Sequence, residues 1–206
     1  MWPESEKTQS LIVEAQQGDA AAVERLFERH RQALRRMVEM RMDRALARRV
    51  DASDVVQDVL LEANDRLQKY LADPSMPFHL WLRQMAKDRI IDLHRRHRVA
   101  ARRSVDREQP LEAQGRPDQS TIDLAAQLYG HELTPAAAAT WNELQRRFAE
   151  AIDQLSEQDQ EIVTMRHFEH LSNSEAAVAL GMSEPAASMR YLRAMRRLRE
   201  LLGDEP

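Results

Sequence analysis

"LSNSEAAVALGMSEPAASMRYLRAMRRLREL", Leu171–Leu201, is the stretch from which the fold follows. Ser172 or Ser174 can cap a first short helix, because a serine oxygen accepts a hydrogen bond from the free N–H groups of a helix start. The apolar residues of that helix are mostly alanines, which allow a neighbouring helix to approach closely. Gly181 then suits the left-handed conformation in which many helices end. The stretch therefore begins with a helix that stops at a glycine turn.

A second, arginine-rich helix is predicted after this turn. Ser183 can cap it, and Pro185 then lies in the first turn, where proline is tolerated. Two short helices joined by a glycine-containing turn form a helix-turn-helix, in which the start of the second helix enters the DNA major groove. Five arginines and no acid lie between Arg190 and Arg199, and arginine pairs with guanine edges or phosphates. The alternative is an ordinary helical bundle with a solvated basic face.

The composition predicts an all-α protein. Of the 206 residues, 31% are charged, only 5% are aromatic and five are glycine. Good helix formers dominate, and the alternating patterns typical of strands are lacking. The chain contains no cysteine, so disulfides, thiolate chemistry and cysteine-ligated zinc are excluded. A signal-peptide pattern is missing and no apolar run reaches the roughly 18 residues of a membrane span, which predicts a cytoplasmic protein without membrane insertion.

Apolar residues at helical spacing fill the first half of the chain. Gly18 and Asp19 separate a short helix from a long one that ends near Arg49, and Asp19 can cap the long helix. Two more helices are predicted over Asp51–Leu71 and Phe78–Arg103, with two prolines in between that stop the first of them.

Charge is segregated along the chain, although the net charge is only −4. Five acids and no base lie between residues 51 and 65, whereas residues 83–107 hold nine bases against three acids. With the arginine-rich C-terminal helix, this gives one acidic and two basic segments. Segregated charge of this kind indicates several partners.

The middle of the chain predicts a division into two domains. Residues 104–135 lose the helical periodicity, apart from a short candidate helix at Thr121–Tyr129. About 30 residues are too many for a connection inside one compact domain. We therefore expect two small helical domains, 1–103 and 136–206, joined by a flexible linker, 104–135, with the helix-turn-helix in the second domain.

Three stretches together resemble bacterial RNA polymerase sigma factors of the extracytoplasmic-function (ECF) group. "DASDVVQDVLLEANDRL" (51–67) is similar to the polymerase-binding helix of that family, and "FHLWLRQMAKDRIIDLHRRHR" (78–98) to the helix after it. "AIDQLSEQDQEIVTMRHFEHLSNSEAAVALGMS" (151–183) looks like the family's C-terminal domain. The resemblance covers about residues 10–100 and 145–202. It implies core RNA polymerase and promoter DNA as partners, with an anti-sigma factor as a further candidate.

The resemblance assigns the acidic helix to the clamp coiled coil of the polymerase largest subunit. Its candidate contact residues are spaced so that they share one helix face. They are Asp51, Asp54, Gln57, Asp58 and Glu62. Without the resemblance, an ordinary solvated acidic face is the simpler interpretation of this run.

The resemblance also implies that the loop before Phe78 and the helix from Trp81 open the promoter and read its −10 element. An unstacked base needs an aromatic or apolar pocket, and phosphates need cations. The candidate residues are Tyr70, Phe78, Trp81, Arg83, Lys87, Arg89, Arg95, Arg96 and Arg98. For Phe78 and Trp81, a place in the hydrophobic core is the simpler interpretation.

The second helix of the helix-turn-helix is the implied reader of the −35 element. Its candidate residues are Ser183, Glu184, Ala186, Ala187, Ser188, Arg190, Arg193 and Arg197, the last two as phosphate contacts. Two departures from the family pattern fall on DNA-facing positions. Ala186 and Ser188 stand where Thr and Lys are usual, and Asp88 stands where the earlier helix usually has Asn. Promoter preference is therefore not carried over from the family.

A promoter-specificity subunit, which is not itself an enzyme, is the leading hypothesis. The alternative is a sigma-like helix-turn-helix regulator that acts without core polymerase, which would have no use for the acidic helix. No glycine-rich phosphate loop or nucleophile motif indicates catalysis or a cofactor. His94 and His97 have a spacing that could hold a metal ion, but the surrounding arginines repel cations, so no metal site is predicted.

Overall fold

The structure is a computed structural model that describes residues 2–103, 147–148 and 150–203, and their side chains except those at 44, 98–103 and 203. The chain divides into two compact units, Met1–Pro110 and Leu111–Pro206. Throughout the described residues, regular structure is helical, which confirms the predicted all-α class.

The described part of the first unit, residues 2–103, contains five helices. They are α1 (Ser5–Gln16), α2 (Ala20–Arg41), α3 (Arg44–Ala47), α4 (Ala52–Ala72) and α5 (Phe78–Arg103). Helices α2, α4 and α5 pack against one another, and α1 covers α2 and α4. Their shared core contains fully buried aliphatic residues from each of the three, such as Leu26, Val59 and Leu82. This packing leaves one face of α4 and one face of α5 exposed to solvent.

The ends of these helices follow local rules, with one correction. Asp19 accepts a hydrogen bond from the N–H of Ala21 at 2.8 Å and caps α2, as predicted. The prediction that α2 continues to about Arg49 is wrong, because the helix ends at Arg41. The next residue, Met42, adopts an extended conformation and is buried. The chain thus leaves the helical path at Met42, whose side chain enters the core. The helical spacing of apolar residues does not reveal this end of the helix.

The second unit contains helical residues at 147–148 and 150–153, then α6 (Glu157–Val163), α7 (Asn173–Leu180) and α8 (Glu184–Gly203). A π-helical segment, Thr164–Phe168, continues directly from α6. Helix α8 packs against both α6 and α7. The core residues of the unit are Phe148, Ala151, Leu155, Ile162, Val163, Ala177, Ala187, Ala194, Met195, Leu198 and Leu202.

The predicted helix-turn-helix is present in α7 and α8. Ser172 caps α7 in a capping box with Glu175, so the first of the two predicted serines is the cap. Gly181 ends α7 in the left-handed conformation, with φ 63°. The hydroxyl of Ser183 lies 3.4 Å from the N–H of Ala186 at the start of α8. These local signals fix the turn that presents α8.

Several sequence predictions fall outside the described residues. They are the linker 104–135, the candidate helix Thr121–Tyr129 and the first part of the C-terminal domain up to residue 146. No helix in the described part of the chain is long and apolar enough to cross a membrane.

Candidate polymerase-binding and DNA-binding surfaces

The acidic face of α4 lies on the surface of the first unit. Val55, Val59 and Ala63 point into the core, and the opposite side of the helix is open to solvent. Asp51 caps the helix by accepting a hydrogen bond from the N–H of Ser53 at 2.7 Å, which lowers the pKa of the Asp51 carboxyl. The five predicted residues share this side: Asp51, Asp54, Gln57 and Asp58 are exposed and Glu62 is partly so.

A leucine that the sequence interpretation did not single out lies in the middle of this acidic face. Leu61 is 60% exposed. It follows Asp58 by three residues and Gln57 by four, spacings that place all three on one side of the helix. Leu61 also lines a groove of about 880 Å³ between α2 and α4, to which Phe27 contributes an aromatic wall. The surface is therefore an acidic rim around an exposed apolar centre.

An ion pair connects this acidic face to α5. The guanidinium of Arg89 contacts the carboxylate of Asp58 across the two helices. Arg89, predicted to face DNA, is thus already engaged with a residue predicted to face polymerase. Sequence spacing gives no sign of such a contact between residues 31 positions apart.

The aromatic residues predicted for the −10 region lie mostly in the core. Tyr70 and Phe78 are only 6% and 2% exposed. The Tyr70 hydroxyl donates to the carbonyl of Met76 at 2.9 Å, and burial raises the Tyr70 pKa to about 12. Trp81 stacks on Tyr70, with ring centroids 4.6 Å apart, and keeps part of its surface exposed. Of the three, only Trp81 presents aromatic surface to solvent in this structure.

The predicted basic residues of α5 divide into three groups. Arg83 is 2% exposed, so the structure places it inside the unit rather than on its surface. Arg95 and Arg96 are exposed, and Arg95 contacts Asp92 at 2.9 Å. Lys87 and Arg89 are partly buried, whereas the side chain of Arg98 lies outside the description. Asp88 is exposed on the same helix, so the outer face of α5 carries mixed charge.

Helix α8 presents some of its predicted residues and buries one. Ala187 is fully buried between the helices, so its side chain has no surface to offer a base. Ser183, Glu184, Ala186, Arg193 and Arg197 are exposed, and Ser188 is partly so. Arg197 contacts Glu200 at 3.2 Å on the same helix. Two further exposed residues on this helix, Met189 and Leu192, were not among the predicted contacts.

Two contacts fix the start of α8 within the unit. The side-chain amide of Asn173 donates to the carbonyl of Glu184 at 3.1 Å and so ties the start of α7 to the start of α8. Arg190 bonds to Gln158 and lies 3.8 Å from Asp159, both on α6. Arg190 is therefore turned toward α6 instead of projecting from the outer side of α8.

A histidine–tyrosine pair holds the middle of α8 against the π-helical segment. His167 Nε2 lies 2.7 Å from the hydroxyl of Tyr191, and the two rings stack with centroids 5.5 Å apart. The guanidinium of Arg166 lies 5.7 Å from the centre of the Tyr191 ring. Burial, helped by the positive charge of Arg166, lowers the His167 pKa to about 4, so the ring is neutral near pH 7. A π-helical segment of this kind often marks a functional position.

The histidines do not assemble a metal site in the described part of the chain. His94 lies 3.4 Å from Asp43 instead of pairing with His97 around an ion. Among the described residues, no group of three or more His, Cys, Asp or Glu side chains is placed to hold a metal ion.

Comparison with known proteins identifies the two units. The family models "Sigma-70 region 2" and "Sigma-70, region 4" match residues 26–99 and 145–198, which together exceed half of the chain. The chain therefore belongs to the sigma-70 family of RNA polymerase sigma factors, in its ECF group. Sigma factors are not an enzyme class; they direct transcription initiation by binding core RNA polymerase and promoter DNA, and this chain has that function.

Individual relatives cover most of the chain at low identity. The ECF RNA polymerase sigma factor SigD of Mycobacterium tuberculosis (strain ATCC 25618 / H37Rv) is 28% identical over 200 residues, which span 97% of this chain and 86% of the relative. The RNA polymerase sigma factor CnrH of Cupriavidus metallidurans is 29% identical over 152 residues, 74% of this chain and 73% of the relative. A solved structure of CnrH in complex with the cytosolic domain of CnrY has a TM-score of 0.57 at 23% identity, covering 97% of this chain and 99% of that one, and shares the fold.

Proposed function

We propose that this sigma factor uses three separate surfaces during initiation. The acidic face of α4 binds core polymerase, α5 with the loop before it engages the −10 element, and α8 engages the −35 element. The observation that carries the proposal is the acidic face of α4 around exposed Leu61, on a chain that also carries a helix-turn-helix. A regulator acting without polymerase is not favoured, because sigma-70 region 2 is matched as well as region 4.

The polymerase-binding surface combines charge with an apolar centre. Asp51, Asp54, Asp58 and Glu62 form its acidic rim, and the neutral Gln57 lies among them. Charges at a rim speed encounter and select a basic partner, whereas an apolar centre supplies the energy of burial. Leu61 fills the second role, because burying a leucine side chain stabilises a contact by about 1.5–3 kcal/mol.

The proposed −10 surface consists of those predicted residues whose side chains keep solvent-accessible surface. Trp81 is the aromatic residue available to stack on an unpaired base, while Tyr70 and Phe78 support it from below. Stacking of a base on an aromatic side chain contributes about 1–3 kcal/mol. Lys87, Arg95 and Arg96 supply positive charge for phosphates, so binding weakens steeply as salt concentration rises.

The −35 surface is the outward side of α8. Ser183 and Glu184 lie at its start, Ala186 and Ser188 in its first turns, and the exposed Arg193 and Arg197 further along suit phosphates. Ala187 and Arg190 act differently, since Ala187 packs in the core and Arg190 fastens α8 to α6.

Regulation and location complete the proposal. The solved relative CnrH is bound to the cytosolic domain of CnrY. We propose that this chain is likewise bound by a partner protein, of the anti-sigma type. We place the protein in the cytoplasm, where RNA polymerase and promoter DNA are found.

The experiment that tests the docking surface is retention on immobilised core RNA polymerase. Asp54→Lys reverses one charge in the first turn of α4. Glu6→Lys is the matched control, because Glu6 is also an exposed acid in the first turn of a helix, α1. We expect the Asp54 variant to lose retention and the Glu6 variant to keep it. Equal retention of both variants would remove α4 from the proposed polymerase-binding surface.

A further inference from the structure

The exposed side of α8 is apolar at its centre. Met189 is 57% exposed and follows the fully buried Ala187 by two residues, about 200° around the helix. It therefore lies opposite the core. Ala186 precedes it by three residues and Arg193 follows it by four, so these three share the outward side. Leu192 follows Met189 by three residues and is 55% exposed, so it adds a second apolar side chain beside Met189.

Hydrogen-bonding groups are scarce at this centre. Pro185, Ala186 and Met189 have no side-chain donor that could reach a base edge, and Met sulfur is only a weak acceptor. Arg190, the nearest arginine, is held on α6 by Gln158 and Asp159. The start of α8 therefore lacks the arginine or amide side chains that ordinarily read guanine or adenine in the major groove.

Thymine is the base whose chemistry fits such a surface. Its C5 methyl is the apolar group that unmodified DNA presents on base edges in the major groove, and apolar side chains recognise it by contact. Methionine suits this contact because its side chain is unbranched, flexible and polarisable, and reaches further than alanine.

We propose that Met189 reads the C5 methyl of a thymine in the upstream promoter element. This inference rests on the proposed function, in which α8 enters the major groove at that element. Arg193 and Arg197, one and two turns further along α8, hold phosphates and set the depth of the helix. Methyl contact at the centre of the helix then contributes to the upstream specificity of this protein, beside the polar side chains at the start of α8, and positive charge supplies the affinity.

The test removes only the methyl group from the DNA. A promoter is first found by run-off transcription of genomic fragments with the full-length protein and core polymerase. Each thymine of its upstream element is then replaced, one at a time, by deoxyuridine, and holoenzyme binding is measured. At one position we expect a loss of roughly fourfold, the value of one buried methyl-sized group. The Met189→Ala variant should bind the thymine and deoxyuridine promoters equally at that position.

The matched control is Val178→Ala, which shortens another exposed apolar residue of the second unit. That variant should keep the wild-type sensitivity to deoxyuridine. An unchanged thermal unfolding temperature excludes misfolding of the Met189 variant, whose side chain is exposed. Three results would overturn the proposal. Binding of the wild-type protein is unchanged by every deoxyuridine replacement, the wild-type protein and the Met189→Ala variant lose binding equally, or the upstream element contains no thymine. Absence of any promoter-dependent transcript would instead contradict the proposed function itself.

Discussion

Arg89 of α5 pairs with Asp58 of α4, which joins a helix proposed to face DNA to a helix proposed to face polymerase. The side chains retain 28% and 48% of their exposure, and such pairs contribute only about 0–1 kcal/mol to stability. The contact therefore contributes little to the stability of the fold, and its main effect is to fix the positions of the two charges. It also means that a change at Asp58 alters the environment of a second proposed interface.

A charge swap separates these two roles of Asp58. Asp58→Arg should lose retention on core polymerase, because the surface loses an acid and gains a cation. The double variant Asp58→Arg with Arg89→Asp restores an ion pair at the same place. We expect it to recover the unfolding temperature of the wild-type protein but not its retention. Recovery of retention by the double variant would show that Asp58 acts by fixing the two helices.

Leu61 should contribute strongly to polymerase binding but little to the stability of the fold. Leu61→Ser removes the apolar centre of the α4 surface, and we expect binding to core polymerase to weaken by roughly 10- to 100-fold. The unfolding temperature should change little, because the side chain is 60% exposed. Binding is measured by titrating labelled protein with core polymerase.

The control for this variant is Val13→Ser. Val13 is an exposed aliphatic residue on α1, 42% accessible, and lies outside the proposed surface. Its replacement should leave binding unchanged. If Leu61→Ser binds as tightly as Val13→Ser, the apolar centre takes no part in docking.

Ala186 and Ala187 should respond in opposite ways to the same substitution. Ala187→Leu forces three extra carbons into a filled site and should destabilise the second unit by about 1–3 kcal/mol. Ala186→Leu places the same group in solvent and should change stability by less than about 0.5 kcal/mol. Urea unfolding of the full chain, followed by circular dichroism, measures both. Equal destabilisation would mean that α8 is rotated about its axis relative to this structure.

Two neutral histidines should make stability fall in mild acid. One is His30, a fully buried residue of α2 in the first unit, and the other is His167 of the second unit. The pKa values of both are lowered to about 4, in each case chiefly by burial. The unfolded chain, with ordinary histidines near 6.5, therefore binds more protons between pH 6.5 and 4. Stability should be highest above pH 6.5 and decline as pH falls toward 4, once the contribution of carboxylates is subtracted.

The His167→Gln variant isolates the second unit in this titration. Glutamine cannot gain a proton, so urea midpoints for that unit should depend less on pH than in the wild-type protein. The first unit retains His30 and should keep its dependence. A variant whose pH dependence matches the wild-type protein would exclude His167 as a source of the effect.

The sequence predicted best those features that are decided by neighbouring residues. The caps Asp19 and Ser172 and the left-handed Gly181 depend on hydrogen bonds and backbone angles within a few positions, and each is present. The assignment of α4 as an acidic surface helix also follows from spacing alone, since its buried and exposed residues alternate with helical period.

Features set by tertiary packing were not predictable in the same way. The burial of Tyr70 and Arg83 depends on how α4 and α5 pack, and the early end of α2 on the burial of Met42. The π-helical segment has no signal in the sequence pattern. Leu61 and Met189, in contrast, were overlooked although a signal existed: each is apolar at a helical position opposite the buried stripe.

The central claim is that the protein binds core RNA polymerase through α4 and thereby gives it promoter specificity. Run-off transcription of genomic fragments by core polymerase, with and without the full-length protein, tests it most directly. We expect discrete transcripts that require both components, disappear with Asp54→Lys and persist with Glu6→Lys. Failure to obtain a promoter-dependent transcript from any fragment, while the protein still binds DNA, would contradict it.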